Sequence, residues 1–211
     1  MRFSKSFPGF IVVVLLLALL TTACSGSDDS GDTAAPVGSE GSTAAAPGGS
    51  VPAGSVSLAQ IGQPAPNFEI TVYETPNFTK NQVLQLSELK GKPVVINFWF
   101  PSCYECGDLM WLLKGSYDKH KDDVQYVAIQ VSADSKSEWD PGSNASAGQE
   151  YVTDKNLEFA VGADPDRSIA TAYDVKAYPT TYFLDKDLKL VSKETFLRAR
   201  QIEENIQLAM K

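Results

Sequence analysis

The sequence is poor in the side chains that metal centres commonly use: it has one histidine and three cysteines in 211 residues. A structural zinc site needs four ligands, and the neighbouring cysteines Cys103 and Cys106, without a second ligand pair, make only half a site. The single histidine, His120, stands at the polar end of a predicted helix. We interpret it as a C-terminal helix residue that interacts with the helix dipole. The composition therefore argues against a zinc centre.

Positive charge is also scarce. The chain has 18 Lys and Arg against 26 Asp and Glu, which gives a formal net charge of −8 at pH 7. Such a balance argues against nucleic acid or an anionic membrane surface as a partner, and it favours solubility.

No apolar run is long enough to span a bilayer. The longest, residues 10–20, has about eleven residues, whereas a transmembrane helix needs about 20. Arg2 and Lys5 precede it and small residues follow it, which is typical of a secretory signal. We therefore predict a signal peptide at residues 1–23, whose removal takes away two basic residues and changes the net charge from −8 to −10.

The run ends in LLTTAC at residues 19–24, which resembles the lipobox of bacterial lipoproteins. The resemblance implies that Cys24 is lipidated and becomes the mature N-terminus; the alternative is an ordinary secretory peptide. Residues 25–57 have no aromatic side chain and too little apolar surface to fold. We predict a lipid-anchored, disordered Ser/Gly/Ala/Pro linker at 24–57 and one domain at 58–211, a common domain size.

With Cys24 assigned to the anchor, Cys103 and Cys106 are each other's only candidates in an exported protein, where disulfides form. A disulfide between them encloses two residues and would stabilise the fold little by constraining the unfolded chain. A redox role is the better interpretation.

The pair lies between a predicted central strand, residues 94–100 (VVINFWF), and a predicted helix with apolar residues at helical spacing up to about Lys119. Open α/β sheets place their sites at such strand ends. A helix N-terminus can lower the pKa of a thiol from about 8.5 to roughly 3.5–7.5. Cys103 can then attack a partner's disulfide, and Cys106, one turn later, can resolve the mixed disulfide.

The remaining pattern alternates strands and helices, which implies parallel pairing through right-handed crossovers. The predicted elements are a strand at 124–131, a polar insertion at 132–148, a helix at about 147–156, a strand at 157–161, a short helix at 164–173, an antiparallel hairpin at 179–194 and a helix at 197–210.

Three segments of the chain together resemble the thioredoxin superfamily, specifically the TlpA/ResA-like membrane-anchored thiol-disulfide oxidoreductases. They are GKPVVINFW, the CxxC that follows it, and DVKAYPTTYFLD some 70 residues later. The similarity covers residues 61–210. It implies a thioredoxin-like α/β fold: a central mixed β-sheet flanked by helices, with an N-terminal strand extension. It also implies that Pro179 is a cis-proline opposite the cysteines and that the backbone at Tyr178 pairs with a substrate peptide.

The same resemblance implies an extracytoplasmic enzyme, monomeric and held at the membrane by its lipid anchor. It would reduce exported cysteine-containing proteins, for example in cytochrome c maturation, with electrons from a membrane thiol carrier of the CcdA or DsbD kind. The redox-active disulfide would serve without a dissociable cofactor. Further substrate contacts are expected at Tyr104, Glu105 and Trp99.

The sequence departs from the family at several positions. Asn97 stands where thioredoxins have a buried acid, and Leu109 stands where ResA-like proteins have a glutamate, so no proton acceptor for Cys106 is evident. Glu105 is interpreted as a solvated surface charge; the alternative is that it raises the pKa of Cys103 by like-charge repulsion.

Two alternatives fit less well. A peroxiredoxin-like peroxidase would require a threonine where Phe100 stands, and an extracytoplasmic copper chaperone of this fold would use CxxxC with a distant histidine, whereas the cysteines here are one residue closer.

Overall fold

The computed structural model describes Ser50 and residues 58–131 and 145–211. The predicted signal peptide, Cys24, all but Ser50 of the predicted linker, and residues 132–144 of the predicted insertion lie outside the described residues. In the part that is described, no helix is long and apolar enough to cross a membrane.

Seven strands and four α-helices make up the described domain, with a short 3₁₀ helix at Leu86–Leu89. The strands are β1 (Glu69–Thr71), β2 (Val83–Gln85), β3 (Val94–Trp99), β4 (Gln125–Val131), β5 (Ala160–Asp164), β6 (Thr180–Leu184) and β7 (Leu190–Thr195). The helices are α1 (Tyr104–His120), α2 (Ala145–Asp154), α3 (Ser168–Ala172) and α4 (Ala199–Ala209).

A five-stranded mixed sheet in the order β5-β4-β3-β6-β7 forms the centre of the fold. Strand β4 is parallel to both β3 and β5, whereas β6 is antiparallel to β3 and to β7. The predicted parallel pairing of the first strands and the predicted C-terminal hairpin are both confirmed. Strand β3 is in the middle, and all six of its residues are buried.

The N-terminal strands form a separate antiparallel pair, β1-β2, which continues towards the edge strand β5. Val72 bridges to Gly162, and the Tyr73 N–H donates to the Val161 carbonyl at 2.7 Å. A Cβ on Gly162 would lie 2.8 Å from the Thr71 carbonyl oxygen, so glycine is what allows this close backbone approach. The predicted N-terminal strand extension is confirmed.

Apolar side chains cover both faces of the sheet. On one face, Val95 and Trp99 of β3 pack with α1 and with Ile202 and Ile206 of α4. On the other face, the alternate β3 residues pack with α3 and the N-terminal strands. Because β3 is covered on both faces, its sequence is a continuous apolar run with no alternation.

Two predicted boundaries around α2 are wrong. The helix begins at Ala145, inside the predicted insertion, and the strand predicted at 157–161 begins only at Ala160, opposite Val127 of β4. Asn156 has a positive φ of 47° where the chain leaves the helix. Leu157 is buried but lies before the paired segment, and an apolar pattern alone does not distinguish a buried loop residue from a strand residue.

Candidate functional site

The two cysteines lie where β3 ends and α1 begins. The chain turns after the strand, with the Cys103 N–H donating to the Phe100 carbonyl at 3.1 Å, and Cys103 is the N-cap of α1. Strand β3 is the middle strand of the sheet, so the site is at the carboxyl end of the central strand, as the sequence predicts.

Cys103 and Cys106 are joined in a disulfide with an S–S distance of 2.10 Å. The two residues differ in accessibility: Cys106 is 1% exposed, whereas Cys103 is half-buried. The Cys106 N–H donates to the Cys103 Sγ at 3.1 Å. The more accessible cysteine is thus also the one whose sulfur accepts a hydrogen bond from an N–H in the first turn of the helix.

The peptide bond between Tyr178 and Pro179 is cis, which confirms the predicted isomer. This bond directly precedes β6, whose first residue, Thr180, pairs with Phe98 of β3. Because β6 is antiparallel to β3, its start lies at the same end of the sheet as the cysteines. The Tyr178 ring contacts the Phe100 ring, with 5.4 Å between centroids, so the loop packs against the segment that leads to Cys103.

The structure separates the three residues predicted to contact substrate beside the cysteines. Tyr104 is 79% exposed and Glu105 is also exposed, so both are accessible to a partner. Trp99 is fully buried and its ring packs on Tyr151 at 4.7 Å between centroids. The expectation of direct substrate contact by Trp99 is therefore wrong; it is a core residue, because it is the last residue of a strand that is covered on both faces.

The two positions at which the resemblance implies an acid are buried and uncharged here. Asn97 donates through Nδ2 to the Thr181 Oγ1 at 3.1 Å, and its buried Oδ1 has no hydrogen-bond partner within the described residues. Leu109 is part of the apolar core. Neither position supplies an ionisable group beneath the cysteines.

Sequence reasoning missed a buried carboxyl at the end of β5. Asp164 accepts hydrogen bonds from the N–H groups of Ile169 (3.2 Å) and Ala170 (2.8 Å), which lie in the first turn of α3. Burial raises the pKa of Asp164 to about 7, although these two hydrogen bonds oppose the rise. The acid-rich start of the predicted helix was the available signal, but burial depends on packing that the local sequence does not show.

A groove of about 560 Å³ opens beside the cysteines, between α1 and α2. We call it the α1–α2 groove. Its lining residues are Pro101, Ser102, Cys103, Tyr104, Gly107, Asp108, Met110, Trp111, Lys114, Tyr151, Lys155 and Leu157. The sequence indicates the start of α1 but carries no sign that α2 lies alongside it.

Within residues 58–131 and 145–211, no three His, Cys, Asp or Glu side chains are grouped so that they could hold a metal ion.

Comparison with known proteins agrees with this geometry. The model of the AhpC/TSA family matches residues 61–193. A thiol-disulfide oxidoreductase ResA of Bacillus cereus is 33% identical over 135 residues, which is 64% of this chain and 69% of that protein.

Solved structures match over most of the described domain. A thiol:disulfide interchange protein of the DsbE type from Chlorobium tepidum superimposes with a TM-score of 0.60 at 24% identity, covering 72% of this chain and 98% of that one. The exposed lipoprotein thioredoxin of Streptococcus pneumoniae has a TM-score of 0.50 at 25% identity, covering 60% and 92%. The fold is thioredoxin-like.

Proposed function

This chain belongs to the AhpC/TSA family and is a thiol-disulfide oxidoreductase of thioredoxin-like fold, and from this premise we propose that it reduces disulfides of exported proteins through Cys103 and Cys106. The observation that carries the proposal is the Cys103–Cys106 disulfide at the N-terminus of α1, with one accessible and one buried cysteine.

The reaction requires two exchanges. The Cys103 thiolate attacks one sulfur of the substrate disulfide; that S–S bond breaks, a mixed disulfide forms and the leaving sulfur takes a proton. Cys106, as a thiolate, then attacks the Cys103 Sγ, which releases the second substrate thiol and closes the Cys103–Cys106 disulfide. Two electrons pass from the dithiol of the protein to the substrate.

The start of α1 supports Cys103 as the nucleophile. In the disulfide its Sγ accepts from the Cys106 N–H at 3.1 Å, and the same N–H remains available to a Cys103 thiolate after reduction. The helix N-terminus adds the positive end of the α1 dipole, which stabilises an anion at this position. Cys106 is shielded from a bulky partner and suits the resolving role.

The loop before β6 is the proposed docking element for substrate backbone. Tyr178 and Pro179 lie at the same end of the sheet as Cys103, and we assign to Tyr178 the pairing with an extended substrate segment. Tyr104 and Glu105, both exposed beside Cys103, are assigned contacts with the same substrate.

The direction and the location of the reaction rest on the resemblance to ResA-like proteins. We place the protein outside the cytoplasm as a monomeric lipoprotein anchored through Cys24, a placement supported by LLTTAC and by the likeness to a pneumococcal exposed lipoprotein. Its electrons would come from a membrane thiol carrier of the CcdA or DsbD kind, and its substrates would include exported proteins such as apocytochrome c. The cysteine pair carries the reaction without a dissociable cofactor.

Trapping of the mixed disulfide tests the assigned roles. Reduced Cys106→Ser protein, mixed with a disulfide-containing exported protein, is expected to accumulate a covalent adduct through Cys103 that dithiothreitol releases, because the resolving thiol is absent. The matched variant Cys103→Ser should form little adduct. The adducts are measured on non-reducing gels and by mass spectrometry. Equal trapping by both variants would contradict the assignment of distinct roles to Cys103 and Cys106.

A further inference from the structure

One face of α1 beside the cysteines exposes two large aromatic side chains. Tyr104 is 79% exposed and Trp111 is 75% exposed. They are seven positions apart, so they share a helix face, and Gly107 stands on that face between them. Large aromatic side chains gathered at a surface are typical of a site where another molecule binds.

The glycine between these two rings keeps the α1–α2 groove open. A Cβ on Gly107 would lie 3.7 Å from the Tyr151 hydroxyl of α2, so a longer side chain there would project into the space between the helices. Met110, which is 1% exposed, also lines the groove. The groove of about 560 Å³ is therefore large enough for one large apolar side chain and is walled by aromatic rings.

The charged residues at the groove favour a bound molecule that has an acidic residue beside its large apolar side chain. Among the described residues, Lys114 and Lys155 line it against a single acid, Asp108, although the chain as a whole has a net charge of −8. Lys155 lies over the Tyr151 ring, with its Nζ 5.8 Å from the ring centroid. Lys114 is 3.4 Å from Asp118, so Lys155 is the ammonium better placed for a carboxylate of a partner.

The groove is continuous with the cysteine pair but separate from the loop before β6. Cys103 lines it, whereas neither Tyr178 nor Pro179 does. A polypeptide whose disulfide reaches Cys103 could thus place its backbone along Tyr178 and a side chain in the groove, which would fix the direction in which it lies across the site.

We propose that the α1–α2 groove binds a large apolar side chain next to the disulfide cysteine of the substrate polypeptide, and that Lys155 binds an acidic residue beside it. This inference rests on the proposed function, because the occupant is a segment of the substrate. It names the substrate class as disulfides with apolar and acidic neighbours, with Trp111 and Lys155 as specificity-determining residues.

The test compares three disulfides with the reduced full-length protein. The first is bis(2-hydroxyethyl) disulfide, which has no side chain for the groove. The others are disulfide-linked dimers of a short cysteine peptide, one with Phe and Asp beside the cysteine and the other with Ser and Asn. Rates are followed by acid quenching and thiol alkylation, and each peptide rate is divided by the rate with the small disulfide.

Wild-type protein should give a ratio at least about tenfold higher for the Phe-Asp peptide than for the Ser-Asn peptide, because placing one apolar group in a fitted pocket is worth about 10- to 200-fold. Trp111→Ser should lower the Phe-Asp ratio about tenfold, and Trp111→Phe should restore most of that ratio.

Lys155→Glu should lower the Phe-Asp ratio about threefold, and this effect should weaken at high salt. The control Leu208→Ser, at a 44% exposed apolar residue on α4, should leave all ratios unchanged.

Equal ratios for the two peptides with wild-type protein would overturn the inference, and so would an unchanged Phe-Asp ratio in Trp111→Ser. Both results leave the proposed function intact, since reduction of the small disulfide does not depend on the groove. Failure of reduced wild-type protein to reduce any of the three disulfides would instead overturn the proposed function.

Discussion

Two cysteines three positions apart differ in accessibility because the start of a helix places them differently. Cys103 caps α1 and is half-buried, whereas Cys106 is within the helix and 1% exposed. We therefore propose that a partner disulfide meets Cys103 first and that Cys106 acts only on a sulfur already bound to Cys103. The proposed order of the two exchanges rests on this difference in accessibility.

Asp164 gives a prediction for the pH dependence of stability. Burial raises its pKa to about 7 in the folded protein, whereas an unfolded aspartate titrates near about 3.9. Between about pH 4 and pH 7 the unfolded chain has released a proton that the folded protein keeps, so this group lowers the free energy of unfolding as pH rises, by up to about 1.4 kcal/mol per pH unit.

Urea unfolding of wild-type protein and Asp164→Asn from about pH 4 to pH 8 checks this. Because the other titrating groups are common to both proteins, the stability of wild type relative to the variant should fall as pH rises to about 7 and level off above it. A difference that stays flat over this range, or that increases with pH, would show that Asp164 is ionised in the folded protein.

Among single residues, those in a local motif were predictable and those whose surroundings come from distant segments were not. The Cys103–Cys106 pair follows from its spacing in the sequence, and the cis bond before Pro179 follows from the family resemblance. The complete burial of Trp99 and the raised pKa of Asp164 depend on side chains from other elements, and nothing near these two residues in the sequence reports that packing.

At the scale of elements, the contact between α2 and β4 depends on one glycine. A Cβ on Gly148 would lie 1.7 Å from Oε1 of the buried Gln130, which accepts a hydrogen bond from the Tyr73 hydroxyl. A Cβ on Gly115, in the middle of α1, would have no atom within 4 Å among the described residues. Gly115 and Gly148 are therefore a matched pair for substitution.

Gly148→Ala is expected to destabilise the protein by about 1–3 kcal/mol, because the new methyl group overpacks a closed contact. Gly115→Ala is expected to stabilise it by about 0.5–1 kcal/mol, because alanine is the better helix former and the site is open. Thermal and urea unfolding of both variants check the signs. Equal effects in the two variants would mean that α2 does not approach β4 as described.

The order and type of the elements were largely predictable because both faces of the central strands are apolar and the helices have apolar residues at helical spacing. Boundaries next to loops were not. The start of α2 lies inside a segment whose polar composition predicts a loop, and β5 begins about three residues later than its apolar pattern predicts, since its start is set by hydrogen bonding to β4 and not by the burial of Leu157.

At the scale of the whole protein, the proposed anchor at Cys24 would keep the thioredoxin-like domain near the membrane, where its proposed electron donor would lie. Replacing it, Cys24→Ala, should move the protein from the membrane fraction to the soluble extracytoplasmic fraction or the medium. The matched control Cys106→Ser should remain with the membrane. Retention of Cys24→Ala in the membrane fraction after a high-salt wash would rule out this residue as the anchor.

The central claim is that Cys103 and Cys106 form a reversible couple that reduces other proteins, and its most direct test is the reduction potential of the purified protein. Equilibration in thiol/disulfide buffers, with mass-tagged thiols as the readout, should show one two-electron transition that is absent from Cys106→Ser. The account predicts a potential at or below about −250 mV, on the thioredoxin side of the known range. A potential near about −120 mV would make the protein an oxidant, and the absence of any reversible transition would contradict the thiol-disulfide mechanism itself.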